Sequence, residues 1–323
     1  MMKFLKAKAS AAADGTDAVE GGASAGIPAV PGHAMEPRMR PGSSRSRSSF
    51  ATLAVVTLGA GLVAAPVTSA IAGPANLVGR DVELAFSEGQ PVGHVFPAGT
   101  MFTHTGTAGS GVVATALYAN GGVLKVAAGR GTGNLAVAAP AHISTATGTP
   151  KSAVIRVSNA GTTDHLDPGT GNFSFGADFA LNTASATAGS KDDGDNLIQR
   201  GLASSATQYK IQIDGGKPSC VLRQQTTTLT AKATQVIERN MWYRAVCNRT
   251  TTGGETTVTL TVTRLGDGTA VPAQAGTGPA LDLSIATTVP LSLGGKLNDS
   301  GTLVLSSTDQ FNGRIDNAFL DLP

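Results

Sequence analysis

The stretch FSFGADFAL, residues 173–181, decides the fold, because its apolar side chains come at every second position. A β-strand sends alternate side chains to opposite faces, so this pattern predicts a strand with one apolar face and one face of small or polar side chains. The same alternation returns in residues 209–213 and 258–262, where polar side chains hold the other face. Such alternation is typical of antiparallel sheets that have one face in a core.

More strands are predicted on both sides of this stretch, and little helix is expected, because no segment shows a helical stripe of apolar residues. The signals before residue 150 are weaker, so residues 73–150 belong either to one large domain or to a small separate β unit. The predicted strands before the opening stretch are 81–86, 112–118, 122–126 and 151–157. Those after it are 196–201, 208–214, 219–223, 241–247, 256–265, 290–295 and 311–322.

A secretory leader is predicted near the start of the chain. Four arginines precede an apolar segment at residues 50–65, and a run of small residues follows as far as Ala72. This is the pattern of a signal peptide, with cleavage after Ala72. The alternative is an uncleaved membrane anchor, but the apolar segment is shorter than the roughly 20 residues of a membrane span, and Pro66 interrupts it.

The chain is therefore divided into a disordered leader with a signal peptide over 1–72 and one exported domain over 73–323, best supported over 151–323. The leader holds seven of the 24 basic and four of the 22 acidic residues, so the exported part has a net charge of −1. This balance offers no footprint for nucleic acid or for an anionic membrane. Cys220 and Cys247 predict a disulfide in an oxidising compartment, rather than two buried free thiols. We expect a secreted monomer.

The segments between residues 153 and 320 follow one another in a recognisable order: AVIRVS, FSFGADFAL, DNLIQRG, YKIQIDGG, SCVLR, MWYRAVCNR, VTLTVTRLGDGT, PLSLGG and DQFNGRIDNAFL. This order resembles the concanavalin A-like, laminin-G-type jelly rolls of secreted bacterial proteins. The last segment is the most specific, since that family closes on a phenylalanine, a glycine and an isoleucine-aspartate pair. The resemblance covers residues 151–323 and implies an all-β fold, a jelly-roll β-sandwich whose two antiparallel sheets have about six or seven strands each.

Catalytic carboxylates of the kind found in this fold are not evident. Glycoside hydrolases of the laminarinase type carry E-x-D-x-E or E-x-D-x-x-E on one strand, with alternate carboxylates in the cleft. No glutamate of this chain has an aspartate two positions later. The nearest fragment, Asp81-Val82-Glu83, is interpreted as a charge pair of an edge strand that faces water. No catalytic residue is assigned, and a glycan hydrolase or lyase with an unfamiliar active site stays as an alternative.

Calcium is the cofactor that two acidic loops would suit, because it prefers several oxygen ligands in a flexible segment. Neither loop matches the EF-hand pattern, and the alternative for each is a solvated turn. Relatives of the resembled fold often carry calcium on a loop at the rim of the sandwich. The candidate ligands are Asp164, Asp167, Asp192, Asp193 and Asp195.

A flat aromatic platform for a sugar is not predicted. Trp242 stands where the resembled family has a core aromatic residue, and Tyr243 is placed on the opposite face. We therefore expect a non-catalytic module that binds carbohydrate or a cell-surface protein through rim loops at 164–171, 192–196 and 298–301. A structural envelope protein without a small ligand is the remaining alternative.

Overall fold

The computed structural model describes residues 79–86, 89–141, 150–183 and 194–322. The predicted leader, 1–72, lies outside these residues. Within them the chain forms strands and a single short 3₁₀ helix, Gly109–Gly111, and no helix is long and apolar enough to cross a membrane. The strands are β1 Val82–Leu84, β2 Met101–Phe102, β3 Val112–Ala119, β4 Lys125–Ala128, β5 Leu135–Ala138, β6 Ser152–Asn159, β7 Phe173–Leu181, β8 Asp195–Arg200, β9 Thr207–Asp214, β10 Lys217–Gln224, β11 Thr227–Ala233, β12 Trp242–Thr252, β13 Glu255–Arg264, β14 Ala270–Val271, β15 Ala273–Gln274, β16 Gly276–Pro279, β17 Leu291–Leu293 and β18 Gly313–Asp321.

Two antiparallel sheets contain all of these strands. Sheet A has the order β14-β13-β12-β7-β18-β5-β4, with β1 paired to β18 and β16 paired to β13. Sheet B has the order β15-β11-β10-β9-β8-β17-β6-β3-β2. The predicted all-β, two-sheet jelly-roll β-sandwich is confirmed. Each sheet has nine strands rather than six or seven, because short strands of two to four residues extend the sheets at and near their edges.

The core lies between the sheets and is built from the alternate positions that the sequence pattern marked. Phe175 and Phe179 of β7 are at most 1% exposed, and Phe175 packs edge-to-face against Tyr209 of β9 in the opposite sheet. Burying one such side chain stabilises the fold by about 1.5 to 3 kcal/mol. The two sheets are therefore held together mainly by apolar contacts between their inner faces.

The outer face of β7 is also covered, which the alternation did not predict. Its small residues, among them Gly176, leave room for long side chains from the neighbouring strands. A side chain at Gly176 would clash with the ring of Phe319 on β18 and with the backbone of β12. The predicted polar face of this strand is therefore buried under side chains of its own sheet.

Three of the first five strands, β1, β3 and β5, pair with strands from the later part of the chain. In sheet B, β3 pairs with β6 along its whole length, and in sheet A both β1 and β5 pair with β18. Residues 82–138 consequently supply strands to both layers of the sandwich.

The predicted disulfide between Cys220 and Cys247 is present, and both residues are fully buried. Cys220 belongs to β10 of sheet B and Cys247 to β12 of sheet A, so the bond crosses the core from one sheet to the other. Such a bond fits an oxidising compartment.

Candidate functional site

A polar pocket of about 330 Å³ lies on the outer face of sheet B. Its floor is formed by outward-facing side chains of β8 and β9, where Gln199 is paired with Lys210 in the ladder. Its walls come from the turn after β8 and from a hairpin at residues 296–304. The volume falls in the range of small-ligand sites. We call this cavity the sheet B pocket; its lining residues are Gln199, Leu202, Ala203, Ser204, Gln208, Lys210, Lys296, Val304 and Asp309.

Two glutamine side chains hold the turn that forms one wall. The Nε2 atoms of Gln199 and Gln208 both donate to the carbonyl oxygen of Gly201, over 2.7 and 3.1 Å. Gly201 has φ = +73°, a conformation that favours glycine, and a side chain there would clash with the backbone of residue 207. The side-chain oxygen Oε1 of Gln199 accepts from Asn196 Nδ2. The side-chain oxygen Oε1 of Gln208 has no donor among the described residues.

An ion pair closes the second side of the pocket. Lys296 Nζ lies 2.6 Å from Asp309 Oδ2 and donates to Ser307 Oγ over 3.0 Å. Asp309 also accepts from Asn196 Nδ2 over 3.2 Å. Both charged side chains are mostly buried, at 16% and 13% exposed. The carboxylate of Asp309 is thus fully engaged with protein groups.

The hairpin that carries Lys296 is fixed to the rest of the molecule at its tip. Asp299 accepts a hydrogen bond from Ser205 in the opposite wall over 2.8 Å. Asn298 caps its own turn by accepting from the backbone of Ser300 and Thr302. Of the three predicted rim loops, 298–301 therefore belongs to a wall of the sheet B pocket.

Lys210 differs from the other polar groups of the pocket floor. Its Nζ donates to no acceptor among the described residues, although the residue is partly buried. Burial lowers the pKa of Lys210, while the carboxylates of Asp309 and Asp214 oppose that shift. An ammonium with three donors therefore faces the cavity without a partner.

The predicted calcium ligand Asp164 is occupied by protein groups. Its Oδ2 forms an ion pair with Arg200 over 2.7 Å, and its Oδ1 accepts from Asn159 Nδ2 and from the backbone nitrogen of Leu166. Arg200 has no solvent exposure, so Asp164 neutralises a charge that the fold has buried. The carboxylate of Asp164 is therefore the counter-charge of the Arg200 guanidinium.

The other predicted ligands do not gather with it. Asp167 accepts from the backbone nitrogens of Gly169 and Ile285, which ties two loops together. Asp195 is buried at the start of β8 and accepts from Asn312. Because Arg200 ends the same strand, the loops of Asp164 and Asp195 are separated by about 16 Å of extended chain. Asp192 and Asp193 lie outside the described residues, among which no group of three or more potential ligand side chains could hold a metal ion.

The prediction that Trp242 lies in the core is wrong. Tyr243 takes the inner position, 3% exposed and packed on Phe179, whereas Trp242 lies on the outer face of sheet A. The guanidinium of Arg314 lies over the indole ring, 5.2 Å from its centroid. One residue of register decides which aromatic side chain enters a core.

Next to this ring, sheet A carries a layer of buried carboxylates, and the prediction that Glu83 faces water is also wrong. Glu83, Asp178 and Asp316 are 5%, 4% and 1% exposed. Arg244 binds both oxygens of Asp178, over 2.6 and 2.8 Å. Burial raises the pKa of Glu83, and it raises the pKa of Asp316 to about 6. The carboxylates are covered by long side chains, among them Arg244, so they form no open cleft.

Other cavities offer less to a ligand. One of about 390 Å³, near Lys125 and Lys151, borders residues outside the described ranges. Another, of about 350 Å³, is lined mainly by small loop residues beside His165. The sheet B pocket combines a described lining, charged side chains and unused hydrogen-bonding groups.

No family model and no curated protein matches the chain. Among solved structures it is similar to the binding domain of Paraclostridial Mosquitocidal Protein 1, with 9% identity over 75% of this chain and 48% of that one and a TM-score of 0.45. The botulinum neurotoxin serotype D/C binding domain has 11% identity over 75% of this chain and 48% of that one, with a TM-score of 0.41. Domains LG4-5 of the mouse laminin alpha1 chain have 10% identity over 75% of this chain and 86% of that one, with a TM-score of 0.30. The chain spans about half the length of the two toxin domains. The chain is thus similar to laminin G domains and toxin binding domains at low identity, and the assignment of the fold rests on the two sheets themselves.

Proposed function

We propose that the protein is an exported, non-catalytic binding module that recognises carbohydrate, and that the sheet B pocket is its binding site. One observation carries this proposal: the pocket floor holds a donor, the ammonium of Lys210, and an acceptor, the carbonyl oxygen of Gln208, that no other described residue uses. Both groups line the cavity, where a polar ligand can take the place of the water that would otherwise bind them.

The walls suit the ring of a sugar. Leu202 and Val304 supply apolar surface, while the amide and ammonium groups of the floor lie between them. A pyranose presents both kinds of surface, hydroxyl groups at its rim and C–H groups on its faces. The proposed binding site is therefore the sheet B pocket and not the three rim loops that the sequence predicted. Of those loops, 298–301 contributes to a wall of the pocket.

The lining of the pocket does not contain the pair of carboxyl groups that glycoside hydrolysis generally uses. That reaction generally uses two carboxyl groups on either side of the scissile bond. The lining contains one carboxylate, Asp309, and Lys296 neutralises it. The covered carboxylates Asp178 and Asp316 belong to the other sheet. We therefore propose binding without turnover.

The test is a panel of cell-wall and secreted polysaccharides, applied to the purified protein with its disulfide intact. Ala203→Trp fills the pocket from an exposed wall position, and Thr230→Trp places the same side chain at an exposed position of sheet B outside the pocket. Binding that Ala203→Trp abolishes and Thr230→Trp leaves intact supports the proposal.

Three results would contradict it. If no polysaccharide of the panel binds, carbohydrate is not the ligand. If both tryptophan variants bind equally well, the sheet B pocket is not the binding site. Release of shortened or unsaturated sugars shows turnover. The panel is repeated with a chelator, which should leave pocket binding unchanged because none of the pocket's contacts requires a metal, whereas a loss would point to calcium and the acidic rim loops.

A further inference from the structure

The charges around the sheet B pocket are unevenly paired, and this imbalance describes the ligand more closely. Two carboxylates act on Lys210 through space, those of Asp309 and Asp214. Each already has its own lysine. Asp309 lies 2.6 Å from Lys296, and Asp214 accepts from Lys232 over 2.7 Å. Three ammonium groups therefore share two carboxylates, and the lysine that has none is the one in the pocket floor.

The position of Lys210 in the ladder explains why it stays unpaired. It stands on the outer face of β9 between Gln199 of β8 and Val221 of β10, neither of which carries a charge. Of the charged side chains of the hairpin, Lys296 pairs with Asp309, and Asp299 accepts a hydrogen bond from Ser205. Among the described residues, the two carboxylates that act on Lys210 are each already paired with another lysine.

We infer that the carbohydrate bound by the pocket carries a single negative charge, as the carboxylate of a uronic acid or as a sulfate ester, and that Lys210 binds this group. The inference rests on the proposed function and names the class of sugar. One negative charge balances the one unpaired ammonium, and the carbonyl oxygen of Gln208 accepts from a neighbouring hydroxyl group of the same ring.

A neutral sugar would fit the same space less well. It would displace water from Lys210 and give the ammonium only hydroxyl groups in return, and a desolvated charge without a counter-charge is costly. A hydrogen bond to a charged group contributes about 1.5 to 3 kcal/mol, which corresponds to a preference of roughly 10- to 150-fold for the charged sugar. The depressed pKa of Lys210 adds a pH dependence. Affinity for the charged sugar should fall as pH rises, at a lower pH than an ordinary lysine would set.

The experiment is titration calorimetry of the purified protein with matched pairs of oligosaccharides. Galacturonate and glucuronate oligomers are compared with their methyl esters, and sulfated galactans are compared with their desulfated forms. In wild type we expect at least one charged member to bind about tenfold or more tightly than its neutral partner. The two pairs of probes separate a carboxylate from a sulfate.

Three variants assign the effect to a residue. Lys210→Met removes the charge and keeps most of the length of the side chain, and it should bind charged and neutral members alike. Lys210→Arg keeps the charge and should keep the preference. Lys151→Met is the matched control, an exposed lysine that lies outside the pocket lining and pairs with neither Asp214 nor Asp309, and should behave as wild type. Urea unfolding of each variant confirms that the fold is retained.

The outcomes separate this inference from the proposed function. If neutral and charged sugars bind equally and Ala203→Trp abolishes both, the pocket stands and the inference fails. If the charge preference survives in Lys210→Met, the assignment to Lys210 fails. If no oligosaccharide of either kind binds, both fail.

Discussion

Two arginines with no solvent exposure, Arg200 and Arg249, illustrate how much a buried charge depends on its partners. Arg200 has a carboxylate, Asp164, and also donates to two backbone carbonyl oxygens. Arg249 donates to the carbonyl oxygen of Gly169 and lies over the ring of Phe173, but its Nε and one terminal nitrogen have no partner among the described residues. The two side chains are equally buried and unequally satisfied.

Replacing each arginine by methionine should therefore give opposite results. Arg200→Met leaves Asp164 without its counter-charge and should lower the free energy of unfolding by about 3 to 5 kcal/mol. Arg249→Met removes a poorly paired charge and fills the space with apolar atoms, so stability should be unchanged or higher. Urea unfolding midpoints measure both. An equally large loss in the two variants would show that burial alone, without pairing, decides the cost.

Single residues were the hardest part of the site to predict. Trp242 and Tyr243 are adjacent aromatic side chains, so only the register of β12 against β7 could decide which one faces the core. In the sequence, Lys210 and Gln208 have the pattern of ordinary outward-facing residues of a strand. They line a pocket only because the hairpin at 296–304, nearly ninety residues later, folds over them. No local pattern contains that contact.

Among the elements, the bond between Cys220 of β10 and Cys247 of β12 has the clearest energetic role. It closes a loop of 27 residues and joins strands that belong to different sheets. On the chain-entropy model such a loop stabilises the folded state by about 3 to 4 kcal/mol, because it limits the unfolded chain.

The double variant Cys220→Ala/Cys247→Ala should lose about that free energy of unfolding while keeping its far-ultraviolet circular dichroism. Its stability should be the same with and without a reductant. Wild type should fall to the level of the variant when it unfolds in reductant. A wild-type stability that does not respond to reductant would show that the bond contributes nothing.

The long strands were predictable and the short ones were not. Residues 173–181 form β7 within the bounds of the apolar alternation, and the predicted strands that end in the hairpin turn at 214–217 are β9 and β10. The strand β11, Thr227–Ala233, was missed because threonines, a lysine and alanines hide its inward Leu229. Strands of two residues, such as β14 and β15, exist through pairing with a neighbour and have no signal of their own.

At the scale of the whole molecule, the weakly patterned residues before 150 complete both sheets. β3 forms eight register pairs with β6, and β1 and β5 lie against β18. Leu84 and Phe102 from this region belong to the same apolar core as Phe175. If residues 73–150 formed a separate β unit, the strands after residue 150 should fold without the strands before it.

A chain that begins at residue 151 should therefore fail to fold cooperatively. It leaves β6 paired only with β17 and β18 paired only with β7, and it exposes one side of the core. We expect loss of the near-ultraviolet circular dichroism signal and of a sharp unfolding transition. The control is a chain that begins at residue 73, which should keep both. Cooperative unfolding of the shorter chain would instead support the separate unit.

The pairing of the first described strand with the last also determines how the molecule responds to mechanical force. Val82 lies opposite Leu320, and Asp81 is bonded to the backbone at both Leu320 and Leu322. The strands are antiparallel, so the chain enters and leaves at the same point. A pull between the two ends therefore loads these hydrogen bonds one after another, as in a zipper, instead of all at once. Sheet A should open from this corner at low force, long before the layers slide apart.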